Sequence, residues 1–206
     1  MEASLVMSSV FSLFAASAAT MLLTAPAVAQ VSVGLYGGYI GSDGIENATT
    51  GANADVKSSA SFMLTLGKDL DASRELQLQF GQQSTTLAPG DGAAPFDLTV
   101  RYLHIGGTAF IGQPIGPGPY AVGGLGATQF SPGTSGYGNE YKPSINLGFG
   151  YYWPLSERVA LRAEARGFFT FVDSSGGFMC SGGCVAVLKS NVFTQYGALV
   201  GVTARF

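Results

Sequence analysis

Charge is scarce in this chain: only 11% of its 206 residues are charged, with ten lysines and arginines against thirteen acids. That balance offers no basic patch for the phosphates of a nucleic acid, so a nucleic-acid partner has no support. Histidine occurs once and cysteine twice, and two thiols alone do not close a zinc site. Beyond the first thirty residues no apolar run approaches the ~20 residues of a membrane-spanning helix, which excludes a helical membrane protein. What is abundant is glycine, 30 residues, and aromatic side chains, 12% of the chain. A globular surface in water carries more charge than this. Something other than water is expected to cover much of the outside.

The N-terminus reads as a segment for export. The apolar run "VFSLFAASAATMLL" is followed by "TAPAVAQ", where Ala27 and Ala29 give the A-x-A spacing of a signal-peptidase site. Residues 1–29 are therefore expected to be a cleaved signal peptide and 30–206 the folded domain. The leader is atypical, since it carries Glu2 and neither Lys nor Arg. Its run is short for a membrane anchor, and a processing site follows it directly.

From Gln30 onward the dominant signal is a period of two, the mark of strands with one apolar face. "VSVGLYGGYI" places Val31, Val33, Leu35 and Tyr39 on odd positions, and "SASFMLTLG" places Ala60, Phe62, Leu64 and Leu66 on even ones. "ELQLQFGQ" alternates Leu76, Leu78 and Phe80 with Glu75, Gln77 and Gln79; "FDLTVRYLHIG" sets Phe96, Leu98, Val100 and Tyr102 against Asp97, Thr99 and Arg101. Glycines blur the faces of "PYAVGGLGATQF". "PSINLGFGYYW" puts Ile145, Leu147, Phe149, Tyr151 and Trp153 opposite Ser144 and Asn146, and "RVALRAEARGFFTF" puts Arg162, Glu164 and Arg166 opposite Leu161, Ala163, Ala165, Phe169 and Phe171. "NVFTQYGALVGVTARF" ends the series with Val192, Tyr196, Ala198, Val200, Val202, Ala204 and Phe206 on one face.

Eight segments near the 9–11 residues of a tilted spanning strand predict an eight-stranded antiparallel up-and-down transmembrane β-barrel. The connections alternate short ("KDLDAS", "GQPIGPG", "PLSE") and long, as periplasmic turns and outside loops do. A soluble barrel of the same strand number would show the same period. Aromatics at strand ends (Tyr39, Phe96, Tyr120, Trp153, Phe169, Phe171, Phe206) favour the membrane, as interfacial girdles. So does a polar face rich in Gly, Asn and Gln but sparse in Lys.

On these residues the chain resembles the small eight-stranded outer-membrane barrels of the OmpA/OmpX type across 30–206. "YLHIGGTAF", "PYAVGGLGATQFSP", "LRAEARGFFTF" and the final "RF" are similar to a group of predicted bacterial outer-membrane β-barrel proteins without an established activity. The resemblance implies the bacterial outer membrane as location, with lipid and lipopolysaccharide as surroundings and a monomeric state. It implies Phe206 as part of the signal read by the outer-membrane assembly machinery. It implies no cofactor.

Parity assigns the lumen Glu75, Gln77, Gln79, Asp97, Thr99, Arg101, Asn146, Arg162, Glu164, Arg166, Gln195 and Arg205. Within it Arg101, Arg162, Glu164 and Arg166 are expected to form a charge network, with Arg101 reaching Glu164 across the barrel. Such a network either fills and fixes the barrel or forms a selectivity constriction, and the first is favoured. Lipid A-modifying barrels use a Ser–His pair, or a His, Asp and Ser set, near the outer leaflet. The single His104 is expected at the periplasmic interface without a serine at its depth, so no enzyme is expected. Cys180 and Cys184, with three residues between them in the last outside loop, are expected to form a disulfide in an oxidising compartment. The expected role is envelope structure or surface interaction through four outside loops. The alternative is a narrow pore or a lateral route for small hydrophobic molecules, of the sort suspected for OmpW-like barrels.

Overall fold

A computed structural model describes residues 30–43, 45–46, 53–88, 94–133, 138–172 and 192–206. Ten strands occur there: β1 (Val31–Ser42), β2 (Ile45–Glu46), β3 (Asn53–Val56), β4 (Ser59–Asp69), β5 (Arg74–Ala88), β6 (Phe96–Phe110), β7 (Gly118–Pro132), β8 (Glu140–Pro154), β9 (Val159–Phe171) and β10 (Val192–Arg205). Each long strand pairs antiparallel with its sequence neighbours, and β1 pairs with both β4 and β10. The sheet therefore closes into an eight-strand barrel, as the alternation predicts. β2 and β3 prolong the first two staves on the loop side: β3 pairs with β2 and with the end of β5.

The register fixes the barrel's dimensions. A path along paired residues from Ser32 through Gly67, Gln77, Gly106, Gly124, Asn146, Phe168 and Gln195 returns to β1 at Ser42, ten residues further on. With strands about 4.8 Å apart and about 3.3 Å per residue, that stagger tilts the strands by roughly 40°. A barrel of this size leaves room for side chains and little else.

Closure at the turn end is tied by the backbone and by charge. Val31 and Phe206 exchange both backbone bonds, at 3.2 and 2.9 Å. Arg205 reaches Asp69 on β4 and donates to Gln30 at 3.2 Å. The three turns at this end are short. In the first, Asp71 accepts the backbone N–H groups of Ser73 and Arg74 at 2.8 and 2.9 Å. In the third, Ser156 accepts those of Arg158 and Val159 at 3.3 and 3.1 Å. Gly112 opens the second at φ +71°, which a residue with a Cβ rarely adopts.

Outside, the barrel is apolar. Leu35, Leu64, Leu78, Ile105, Leu125, Leu147, Phe149, Val200 and Val202 are all exposed, Phe149 at 69%. In water so continuous a belt would be a large exposed patch. In lipid it is the required surface, and a closed barrel leaves no unpaired strand edge there. Tyr151 and Trp153 sit with ring centroids 4.5 Å apart low on this belt. Two aromatics expected in the girdles lie elsewhere: Tyr120 is fully buried inside, and Phe96 packs against the interior core.

Candidate functional site

The interior is the place where this fold gathers polar side chains, and apolar clusters pack among and around them. At the turn end Phe110, Tyr120, Val122, Tyr152 and Ala160 form an apolar cluster. At the loop end a larger one contains Ile40, Val56, Leu87, Leu98, Val100, Phe130, Phe168 and Phe193. That cluster extends down through Tyr36, Met63 and Leu199 to the ions, whose lower pair, Glu75 and Arg162, sits beside Tyr120 and Tyr152.

Arg162, Glu164 and Arg166 point inward because they share one parity of β9, and all three are buried. Arg166 donates through Nε to Glu164 at 2.6 Å. Arg162 donates through Nη2 to Glu75 on β5 at 3.0 Å, across the lumen. Glu75 also accepts from Gln77 at 2.9 Å, from Thr108 at 3.2 Å and from Ser32. Glu164 takes a 2.7 Å bond from the Tyr120 hydroxyl. Arg162 lies 5.4 and 5.1 Å from the ring centroids of Tyr120 and Tyr152, so its unbonded nitrogens face π-electrons. Two arginines and two glutamates thus cancel where neither sign would be tolerated alone.

A second chain of bonds links this centre upward. Arg166 Nη1 donates to Gln79 at 2.9 Å and to Asn146 at 3.4 Å, and Asn146 donates to Gln79 at 2.9 Å. Higher still, Tyr102 donates to Gln195 at 2.6 Å and Gln195 to Gln83 at 3.0 Å. Gln77, Gln79 and Gln83 take inward positions of β5, and each both donates and accepts.

Three expectations need correction. Arg101 is absent from the ion cluster: with Asp97 and Thr99 it lies on the outer face of β6, while Leu98, Val100 and Tyr102 are buried inside. Its Nε donates to Gln82 at 2.8 Å and its Nη1 to Gln129 at 3.2 Å. The fourth member of the network is Glu75 in place of Arg101, and the parity of single strands does not show its pairing with Arg162. His104 is likewise not interfacial. It is buried in the lumen, with Nε2 2.9 Å from Ser144 Oγ, a serine that also accepts from Thr128 at 2.8 Å.

The signal for both β6 errors is a change of phase. Above Tyr102 the apolar side chains of β6 are on even positions, while Leu103 and Ile105 below are on odd ones. The upper part of the strand rises out of the apolar belt, so its polar residues face outward and its apolar ones pack inside.

The pair of Ser144 and His104 has the residue types of a nucleophile and base. His104 Nδ1 has no partner among the described residues to orient the ring, and both side chains are buried, with the Phe168 ring centroid 6.4 Å from that of His104. Cys180, Cys184 and residues 1–29 lie outside the described residues.

No protein-family model matches the chain, and no curated protein does. Among solved structures it is similar to outer membrane protein OprG from Pseudomonas aeruginosa, at 14% identity and TM-score 0.52, over 86% of this chain and 95% of that one. It is similar also to Neisserial surface protein A, at 15% identity and TM-score 0.50, over 86% and 97% of the two chains. At these identities the likeness is one of fold. The fold is that of bacterial outer-membrane barrels, and a closed barrel with an apolar outside belongs in that membrane.

Proposed function

We propose that this protein is a sealed outer-membrane barrel, acting in envelope structure or surface interaction through its outside loops and not as an enzyme. The observation that supports this reading most is the packing of the interior. Ions paired at 2.6 and 3.0 Å are packed against an aromatic cluster at the turn end and an apolar core that runs from beside them to the loop end. A conducting path needs continuous water, and the apolar side chains oppose it at both ends. The same upper core stands where a lateral route for hydrophobic molecules would have to begin.

The reading includes export of the chain with loss of residues 1–29, use of Phe206 by the assembly machinery, a disulfide between Cys180 and Cys184, and a monomer surrounded by lipid and lipopolysaccharide. Planar-bilayer recording and liposome swelling on refolded protein test the sealed lumen. No discrete steps and no swelling are expected. Selective single-channel steps that Glu164→Gln alters would establish the narrow pore instead.

A further inference from the structure

Arg101 belongs to a polar row that has no role in the sealed lumen. On the outer face, Arg101 donates to Gln82 on β5 and Gln129 on β7, and Gln129 donates to Tyr141 on β8 at 2.6 Å. Four adjacent staves thus carry one bonded band of polar side chains. It lies immediately above the apolar belt: the next outward residues below it on β5 and β6 are Phe80 and Leu103. Both glutamine oxygens accept from Arg101, which fixes the guanidinium against the wall. Its Nη2 bonds to none of the described side chains.

Directly above Arg101 the wall is notched. Between the pairs Val56↔Leu87 and Ser61↔Gln83, the β3–β4 stave has four residues where β5 has three, a bulge that spreads the two staves. The result is a recess of about 500 Å³ lined by Lys57, Ser58, Ser84, Thr86, Asp97 and Thr99, among others. Ser84 and Thr99 are the outward pair next to Gln82 and Arg101.

We propose that this recess and Arg101 together bind the phosphorylated saccharide headgroup of a glycolipid in the outer leaflet. The inference adds a site to the proposed function and rests only on the barrel's placement in the outer membrane. The occupant follows from position and charge. The acyl chains of such a lipid lie along the apolar belt, which brings its phosphate to the height of Arg101 and its sugar to the recess. A guanidinium held flat is the side chain suited to two phosphate oxygens. Lys57 adds a second cation, and the serine and threonine hydroxyls match sugar hydroxyls in donating and accepting. Asp97 lies at the far end of the recess, one outward pair beyond Thr99 and away from the lipid.

The test is native mass spectrometry of the refolded full chain in detergent with purified bis-phosphorylated lipid A. The wild type is expected to retain one lipid. Arg101→Gln and Lys57→Gln are each expected to weaken retention about tenfold, the loss of one charge-assisted contact. Lys68→Gln, an exposed cation at the other end of β4, should leave it unchanged. Lipid A should also slow amide exchange at residues 57–60, 84–86 and 97–101 of the wild type, a readout independent of how the variants fold. Equal retention by Arg101→Gln, equal binding of dephosphorylated lipid A, or an equal loss in Lys68→Gln overturns the proposal. Complete displacement by inorganic phosphate overturns it too, since the site would then take the free anion.

Discussion

Arg162 of β9 and Glu75 of β5 meet at 3.0 Å across the barrel with both side chains fully buried. They are 87 residues apart in sequence, and no backbone ladder joins their strands. The contact therefore braces opposite walls. Its partners make it specific: the same carboxylate oxygen accepts from Gln77 and Thr108, and the guanidinium lies over two tyrosine rings.

Removing one charge should thus be worse than removing both. Glu75→Gln leaves Arg162 buried and uncompensated, an expected loss of about 3–5 kcal/mol. Adding Arg162→Gln restores part of it, because two neutral amides can bond to each other and to Gln77. Urea unfolding in lipid vesicles for the wild type, both single variants and the double variant measures the coupling, expected to exceed about 1 kcal/mol.

The interior layers predict a second effect. Phe168 is completely buried in the upper core and stands 4.6 Å, centroid to centroid, from Tyr102. Phe168→Ala is expected to cost about 3–5 kcal/mol by leaving a cavity. It also removes the ring between the ion cluster and the loop end, so small-ion leakage through vesicles should rise above the wild-type baseline. Unchanged leakage in a folded variant would show that the seal lies elsewhere.

How far the sequence revealed this arrangement depended on the strand. β9 was plain: its charges and apolar residues alternate without a break, and a one-residue slip would put Arg162, Glu164 and Arg166 into lipid. β6 was not. Period two separates faces but does not say which is inside, and β6 crosses from lipid to water partway along. Below Tyr102 the outer face must be apolar; above it the outer face must be polar, and Arg101, Thr99 and Asp97 comply. Parity taken from the loop end alone puts Arg101 inside and hides both His104 and the outer row. Parity puts Glu75 inside, yet its pairing with Arg162 depends on the stagger of ten residues, which no single strand encodes.

Ser144 and His104 supply a test of the non-enzymatic reading. A fluorophosphonate probe is expected to leave Ser144 unlabelled in the folded barrel, since both residues are buried in the packed lumen. Ser144→Ala should instead be seen in stability. It leaves His104 Nε2 and Thr128 without their bonds, a loss of about 1–3 kcal/mol. Labelling of Ser144, or lipid A with altered acyl chains in an overexpressing strain, would reverse the conclusion.

The first turn carries the clearest acid–base signature outside the membrane. The backbone N–H of Ser73, then the Arg74 side chain, hold the Asp71 carboxyl down at about 2. A folded-state pKa below the unfolded ~3.9 means that the carboxylate's bonds contribute fully above pH ~4. Their contribution declines as pH falls through that window and is lost below about 2. Carboxyl NMR titration should therefore find Asp71 near 2 in the wild type and higher in Arg74→Gln. In Asp71→Asn the part of the acid destabilisation belonging to this window should be missing.

Glycine content, conspicuous in the sequence, gives a prediction that separates two positions of equal composition. Gly106 of β6 faces Gly124 of β7, and a Cβ on Gly106 would lie 1.9 Å from the carbonyl oxygen of Gly123. Backbone cannot yield as a side-chain tip does, so the β6–β7 ladder itself would have to open. Gly37, on the outer face of β1, has nothing within 4 Å of the same added atom. Gly106→Ala should hence destabilise the barrel by about 2 kcal/mol or more, within the upper range for single substitutions. Gly37→Ala should be neutral or stabilising by about 0.4–1 kcal/mol through the unfolded chain. The gel-mobility difference between folded and heat-denatured barrel, followed against urea, ranks the two variants. Equal midpoints would mean that β6 and β7 tolerate a separation at this level that their paired glycines do not require.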